Sequence, residues 1–237
     1  MLYSSNYDSF KIRSKDHNIY KYILPILKNN MKAVDLGCGT CRKNIQIAHN
    51  IAHLDCVDIN EEMLAKAAYN ITKANLANIR LCRGDNMDVP LPSHSYDLCT
   101  AFLTTWSPTE AHRLLRENGL LFVEALCSDD KIEMKTAFGK DKFGWRGRNL
   151  NQSPSERLNY LRKMISPFFN IESMDIIKFN TDLTREGLIE LLLTTPTIRD
   201  FSIKNDQHII DELTPDNIIT ITERRVIITA RALKLEE

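Results

Sequence analysis

Five short apolar runs, separated by stretches of helical spacing, constrain this chain more than anything else in it. They are residues 32–36, 53–58, 79–83, 96–102 and 120–125. Between them, 43–50, 61–74 and 109–115 have the periodicity of helices with one buried face. In the second of these, Met63, Leu64, Ala67 and Ala68 fall on that face, and Asn60 stands where an N-cap belongs. A strand followed by a helix returns to its sheet by a crossover, and crossovers join parallel strands. The expectation is an α/β chain built on a mainly parallel sheet.

The flanks are less regular. Ile19, Tyr22, Ile23, Ile26 and Leu27 suit a helix that Pro25 bends or breaks. Asn118-Gly119 reads as a tight turn into the fifth strand. Residues 127–155 are polar, charged and glycine-bearing, with Phe138, Phe143 and Trp145 interspersed. So long a connection is expected to be functional or mobile, and it is read here as a lid. Beyond it, 155–166 and 184–193 read as helices and 168–179 as a strand. A last strand at 224–233 is expected to pair as a hairpin with 217–222. The whole is expected to be one domain, 1–237, with residues 1–31 as an N-terminal cap.

Composition narrows the function classes. The 237 residues are 43% hydrophobic and 26% charged, ordinary for a globular protein. Lys+Arg and Asp+Glu balance at 31 each, so no global field draws in a polyanion, and nucleic acid is not the expected partner. No apolar run approaches membrane-spanning length, and the start lacks a basic region followed by an apolar core. A cytoplasmic, reduced protein without membrane association is expected. Four of the six cysteines lie in strand-like runs, as buried thiols do. Cys38 to Cys41 spells C-x-x-C, but inside a glycine turn and without a second pair, so no metal is expected there.

Ligands of an open parallel sheet sit beyond the carboxyl ends of its strands. Four ends here carry suitable groups. The first has Gly37-Cys38-Gly39, a turn that exposes backbone and leads into a helix. The second ends on Asp58, about 20 residues further on, the offset of an acid that accepts both ribose hydroxyls. The third gives Asp85-Asn86, suited to an exocyclic amine and a ring nitrogen. The fourth gives Ala101-Phe102-Leu103, whose carbonyls can receive an ammonium. Together they suit a ligand with an adenine, a ribose and an amino-acid tail.

The series Val34-Asp35-Leu36-Gly37-Cys38-Gly39-Thr40, Val57-Asp58-Ile59, Gly84-Asp85, Tyr96-Asp97-Leu98 and Leu114-Leu115-Arg116-Glu117-Asn118-Gly119 resembles the class I S-adenosylmethionine-dependent methyltransferases, most closely their small-molecule type. The resemblance covers residues 6–126 well and the remainder only by topology. It implies a Rossmann-like three-layer sandwich, a seven-stranded mostly parallel sheet with an antiparallel last strand. It also implies S-adenosyl-L-methionine as cofactor. Asp35 and Gly37 would lie beside its methionine part, with Cys38 and Gly39 in the same loop. Asp58 would take the ribose, Ile59 would pack on adenine, and Asp85 would take the adenine amine beside Asn86 and Met87. Met63, Ala101 and Phe102 complete that set. Tyr7 to Arg13 is similar to the segment that covers the cofactor in such enzymes, and Arg13 is either a partner of the cofactor carboxylate or a solvated charge. Two departures stand out: Cys41 replaces a third glycine, and Glu117-Asn118-Gly119 replaces a Pro-Gly-Gly turn.

The expected reaction is in-line methyl transfer to a small-molecule acceptor. Trp106, Phe143, Trp145 and Arg146 are the candidate acceptor contacts, with packing as the other reading of Trp106 and of the aromatic loop. His112 and Glu124 are the candidate bases, with a structural role as the other reading of His112. Methylation of RNA or protein, a nicotinamide-dependent oxidoreductase and an inactive cofactor-binding subunit are the alternatives. Against the oxidoreductase, Arg42 holds the third glycine position of a G-x-G-x-x-G match.

Overall fold

The computed structural model of the chain describes the backbone of residues 12–14 and residues 19–234 in full. The elements run β1 (Ile12–Ser14), α1 (Tyr20–Ile23), β2 (Lys32–Leu36), α2 (Arg42–Ala48), β3 (His53–Asp58), α3 (Glu61–Lys73), β4 (Ile79–Arg83), β5 (Tyr96–Phe102), α4 (Pro108–Leu114) and β6 (Leu115–Leu126). Then follow α5 (Ile132–Ala137), β7 (Lys140–Asp141), β8 (Gly144–Trp145), α6 (Pro154–Ile165), β9 (Phe169–Thr184), α7 (Arg185–Thr194), α8 (Ile203–Leu213) and β10 (Ile218–Ala232).

The sheet order is β1-β9-β10-β6-β5-β2-β3-β4. Parallel ladders join β2 to β3 and to β5, β3 to β4, and β5 to β6. Seven of these strands form the mostly parallel sheet with an antiparallel last strand that the resemblance implies. A short eighth, β1, pairs antiparallel with β9, Arg13 facing Asp182. The strand order reverses at β2, which has β3 on one side and β5 on the other. The loops after β2 and β5 therefore flank the crevice where this architecture binds ligands.

Local chemistry explains the boundaries. Asn60 caps α3, its Oδ1 accepting from the Glu62 and Met63 amides at 2.9 and 3.4 Å. Pro25 stops α1 and starts a single 3-10 turn, Leu24–Ile26. Val34, Leu36, Leu54, Val57, Leu98 and Phe122 are wholly buried, which is why their strands read as unbroken apolar runs rather than alternating ones.

The structure departs from or adds to the sequence reading at four places. The Asn118-Gly119 turn is a bulge inside a longer strand: the β5–β6 register jumps from Tyr96↔Leu115 to Leu98↔Leu120, with Asn118 at φ 59°. Residues 127–155, read as a lid, hold α5 and the β7–β8 hairpin. Residues 217–233 do not form a hairpin but one strand, β10. Its charged middle does not break the ladder because the charges find buried partners: Arg225 pairs with Asp130 and Glu223, and Glu223 accepts from Thr181 Oγ1 at 2.8 Å. Finally, α8 was not expected. Its polar run 204–208 hides the stripe of Ile209 and Ile210, and Ser202 caps it through the Asn205 amide at 3.2 Å.

The chain divides into two compact units. One comprises Asn18–Ala125, Tyr160–Asp175 and the stretch from Val226 onward; it contains β2 to β5 whole. The other comprises Leu126–Asn159 and Ile176–Arg225, together with β1, and has its own core around Met134, Leu183, Leu188, Ile210 and Ile221. Among the described residues, no helix is long and apolar enough to cross a membrane.

Candidate functional site

The loop after β2 is built on left-handed backbone. Gly37 has φ 71° and Gly39 φ 53°. The Gly37 and Cys38 amides both donate to the Val57 carbonyl, at 2.8 and 2.9 Å, which pins the loop to the end of β3. A Cβ on Gly37 would stand 2.3 Å from Thr104 Oγ1 and 2.9 Å from Asn86 Nδ2, whereas one on Gly39 would meet nothing within 4 Å. Gly37 is thus required by a close approach from the loop after β5, and Gly39 leaves backbone open to a ligand. Cys41, at the family's third glycine, keeps the glycine conformation with φ 59° and is fully buried. For an L-residue that conformation costs about 1–2 kcal/mol.

Asp58 is clamped at the end of β3. Its Oδ2 accepts from the Gly39 amide at 2.8 Å and its Oδ1 from the Asn60 amide at 2.9 Å. Each oxygen keeps a second lone pair, so the half-buried carboxylate is fixed as a double acceptor. Next to it in sequence, Ile59 is 59% exposed, and Met87 on the following loop is 55% exposed. Both are apolar side chains available to the flat face of a base. Met63 instead is buried on the inner face of α3.

On the loop after β4, Asp85 is exposed and its Oδ1 accepts from the Met87 amide at 2.9 Å, so the turn itself orients this carboxylate. Asn86 Nδ2 donates to the Thr105 carbonyl at 3.0 Å and to Thr104 Oγ1 at 3.3 Å. That assigns Asn86 Oδ1 as an acceptor, and it is buried without a hydrogen-bond partner among the described residues. An unpaired buried acceptor beside Gly37 fits a ligand that brings a donor, such as an ammonium.

Beneath the loop, the β2–β3 and β2–β5 registers set Asp35 level with Cys56 and Thr100. Asp35 is buried and accepts from Asn44 Nδ2 at 2.8 Å and from Thr100 Oγ1. Burial is the largest influence on it and pushes its carboxyl up to about 8, the two hydrogen bonds opposing. Its oxygens are spent on protein partners, so it serves the site by holding the loop. Three thiols lie alongside. Hydrogen bonds from Cys38 and Cys56 pull the Cys41 thiol down to about 6. Cys38 is raised, chiefly by its bond to Cys41, and Cys56 is raised, chiefly by burial.

At the end of β5, Ala101 is buried and Phe102 lies under Lys43, whose Nζ is 5.1 Å from the ring centroid. The Lys43 ammonium also pairs with Glu124, a buried carboxylate on β6. A paired carboxylate is a poorer base than an unpaired one, because the ammonium favours its charged form. His112 is placed elsewhere: its Nε2 lies 2.7 Å from the Leu233 carbonyl and its ring packs on Phe168 and Phe169 at 6.0 and 5.7 Å. None of those partners belongs to the strand-end loops, so the structure gives His112 a packing role.

The candidate acceptor residues are divided. Trp106 is buried, 8% exposed, after β5. Phe143, Trp145 and Arg146 belong to the other unit. Phe143 is 68% exposed, with Arg199 Cζ 5.6 Å from its ring, and Trp145 has Lys140 Nζ at 4.7 Å. Arg146 is taken up by a two-pronged bond to Asp206, at 2.7 and 2.9 Å, and by the Asp200 carbonyl at 3.2 Å. Both terminal nitrogens therefore tie the β7–β8 region to α8, which gives Arg146 a structural role alongside its reading as an acceptor contact. Tyr7 lies outside the described residues, and Arg13 is described as backbone alone. Sequence reasoning missed Asn44, Thr100, Thr104 and Lys43, which support the loop rather than face a ligand. The one available signal was Asn44, a polar residue on the buried face of α2.

This arrangement, at the carboxyl ends of a mainly parallel sheet, suits a nucleoside-bearing ligand. Residues 33–119 match a family model described as a methyltransferase domain. A demethylmenaquinone methyltransferase from Listeria monocytogenes serotype 4a (strain HCC23) is 29% identical over 112 residues, 46% of this chain and 47% of that protein. The chain therefore spans about half the length of the curated relatives it matches. The YcgJ protein of Bacillus subtilis superposes with a TM-score of 0.64 at 16% identity, covering 89% of this chain and 95% of that one. A geranyl diphosphate methyltransferase, solved in complex with SAM, gives 0.54 at 14% identity, with 90% and 84% covered. The methyltransferase-domain match over residues 33–119 and the methyltransferase relatives point the same way as the resemblance to the class I S-adenosylmethionine-dependent methyltransferases.

Proposed function

We propose that this chain binds S-adenosyl-L-methionine at the ends of β2 to β5 and transfers its methyl group to a small organic acceptor. The observation that carries this reading is the Asp58 carboxylate, clamped by the Gly39 and Asn60 amides as a double acceptor for a ribose diol. In the proposed complex Ile59 and Met87 cover the adenine and Asp85 accepts from its amine. Gly37 and Gly39 give the methionine part access to backbone, and Asn86 Oδ1 accepts from its ammonium. When bound, the cofactor supplies a sulfonium-activated methyl group. The chain has to hold the acceptor in line with it, and orientation of that kind is worth on the order of 7–11 kcal/mol in favourable cases. A base is needed only for an acceptor that keeps its proton at neutral pH. Glu124 is the nearer candidate in the fold, on β6 next to β5. The relatives named for demethylmenaquinone, together with the chain's zero net charge, support a small acceptor over RNA.

Calorimetric titration with S-adenosylmethionine, S-adenosylhomocysteine and a nicotinamide dinucleotide tests the reading. Binding of the first two and not the third is expected. Absence of binding by either sulfur nucleoside would sink it. Binding without turnover across a panel of quinols, phenols and amines would leave a cofactor-binding subunit in its place.

A further inference from the structure

The loop that faces the cofactor on one side carries a thiol cluster on the other. Cys38, Cys41 and Cys56 have their Sγ atoms all within 4.8 Å of one another. Three features of the fold bring them together. Cys56 lies in β3 at the level of Asp35 in β2. The Cys38 amide is tied to the Val57 carbonyl at 2.9 Å, which returns Cys38 to its neighbourhood. The Cys41 amide then bonds the Cys38 carbonyl at 3.0 Å, and the left-handed backbone of Cys41 turns its side chain inward.

We propose that these three thiols form a binding site for a thiophilic d10 metal ion, of the Cu(I), Zn(II) or Cd(II) kind. The donor set is all sulfur, and no His, Asp or Glu of the described residues joins it. Oxygen-seeking ions such as Mg(II) and Ca(II) are selected against by such a set, and soft ions are selected for. All three thiols are reduced and available: no disulfide engages them. Cys41 and Cys56 are fully buried, while Cys38 is partly exposed and offers the way in. The cluster also has an outer support of the type that metal ligands use. Asn44 Nδ2 donates to Cys56 Sγ at 3.1 Å and reaches Cys41 Sγ at 3.9 Å, while its other contact, at 2.8 Å, is Asp35. An amide donor on sulfur stabilises a thiolate and fixes its direction. Cys99, buried in β5, is a core cysteine that joins no such cluster among the described residues. The site stands on the thiol geometry alone and does not depend on the methyl-transfer reading.

The test uses the whole reduced chain under anaerobic conditions, titrated with Cd(II) and separately with Cu(I). One ion per chain is expected, with a thiolate-to-metal charge-transfer band and three sulfurs in the first shell by X-ray absorption. Cys56→Ser is expected to lose the band's full amplitude and weaken binding at least tenfold. Asn44→Ala should weaken it roughly 10–100-fold, and Cys99→Ser should leave it unchanged. Should the buried variants fail to fold, alkylation mapping of the unmutated chain decides: the ion must protect Cys38, the partly exposed thiol of the three, and not Cys82, which is likewise partly exposed. Equal loss of binding in Cys99→Ser, fewer than three sulfurs around the ion, or equal affinity in the urea-unfolded chain would each overturn the proposal.

Discussion

Replacing Asp58 by alanine should be the most damaging single change for cofactor affinity. The carboxylate holds two backbone amides, at 2.8 and 2.9 Å, and has one lone pair left on each oxygen. A ribose diol would use both. Hydrogen bonds to a charged group contribute about 1.5–3 kcal/mol each, so two of them are worth about 3–6 kcal/mol. Asp58 is only half-buried, and water replaces part of what is lost, which favours the lower end. An affinity loss of about 3 kcal/mol is roughly a hundredfold in Kd. His112→Ala is the control. It removes a bond to Leu233 and the packing on Phe168 and Phe169, so it should lower stability while leaving affinity near the unmutated value. The assay is calorimetric titration with S-adenosylhomocysteine, at a temperature where circular dichroism shows both variants folded. A Kd for Asp58→Ala within about threefold of the unmutated chain, well under one factor of ten, would refute the placement. So would a larger loss in His112→Ala.

Gly37→Ala should destabilise by about 2–4 kcal/mol, since it adds a left-handed alanine to a Cβ standing 2.3 Å from Thr104 Oγ1; a urea midpoint unchanged from the parent would contradict the close approach. Asp35 gives a pH signature. Its folded carboxyl is raised from 3.8 to about 8 by burial, so between those values the native state binds a proton that the unfolded chain does not. Its contribution to stability is therefore full below 3.8, declines with rising pH by about 1.4 kcal/mol per unit, and levels off above about 8. Urea titrations across that window should show this slope in the parent and its absence in Asp35→Asn; parallel slopes would rule it out. Arg146→Met leaves the buried Asp206 carboxylate without its two-pronged partner, and should cost about 3–5 kcal/mol of stability. A stable Arg146→Met protein with reduced turnover would instead support Arg146 as an acceptor contact.

What the sequence made legible depended on what each stretch needed in order to fold. The residues of β2, β3, β4 and β5 were read to their exact ends. Strands buried on both faces must be apolar throughout, and the acids and glycines that close them stand out. The same holds for Gly37, Gly39 and Asp58, whose local backbone chemistry is written into residue type. β10 was misread because Glu223 and Arg225 look like a loop until Asp130 and Thr181, about 95 and 42 residues away, are seen to satisfy them. α8 was missed because its buried stripe is narrow. Arg146 was legible only in part for a related reason: sequence shows a cation near aromatics, but not its pairing with Asp206. Cys56 was read as one more strand cysteine, since only the β2–β3 register places it against the turn.

The two units are woven from one chain. It leaves the Asn18–Ala125 stretch, returns at Tyr160–Asp175, and returns again after Val226. The stretch that matches the methyltransferase domain, 33–119, is therefore not a part that folds with a complete core of its own. Its sheet takes strand residues from near the C-terminus, beyond β9 and into β10. The β6 edge that β10 covers therefore stays unpaired while the long stretch between the two strands is made, which is the condition under which chaperone capture and aggregation compete with folding.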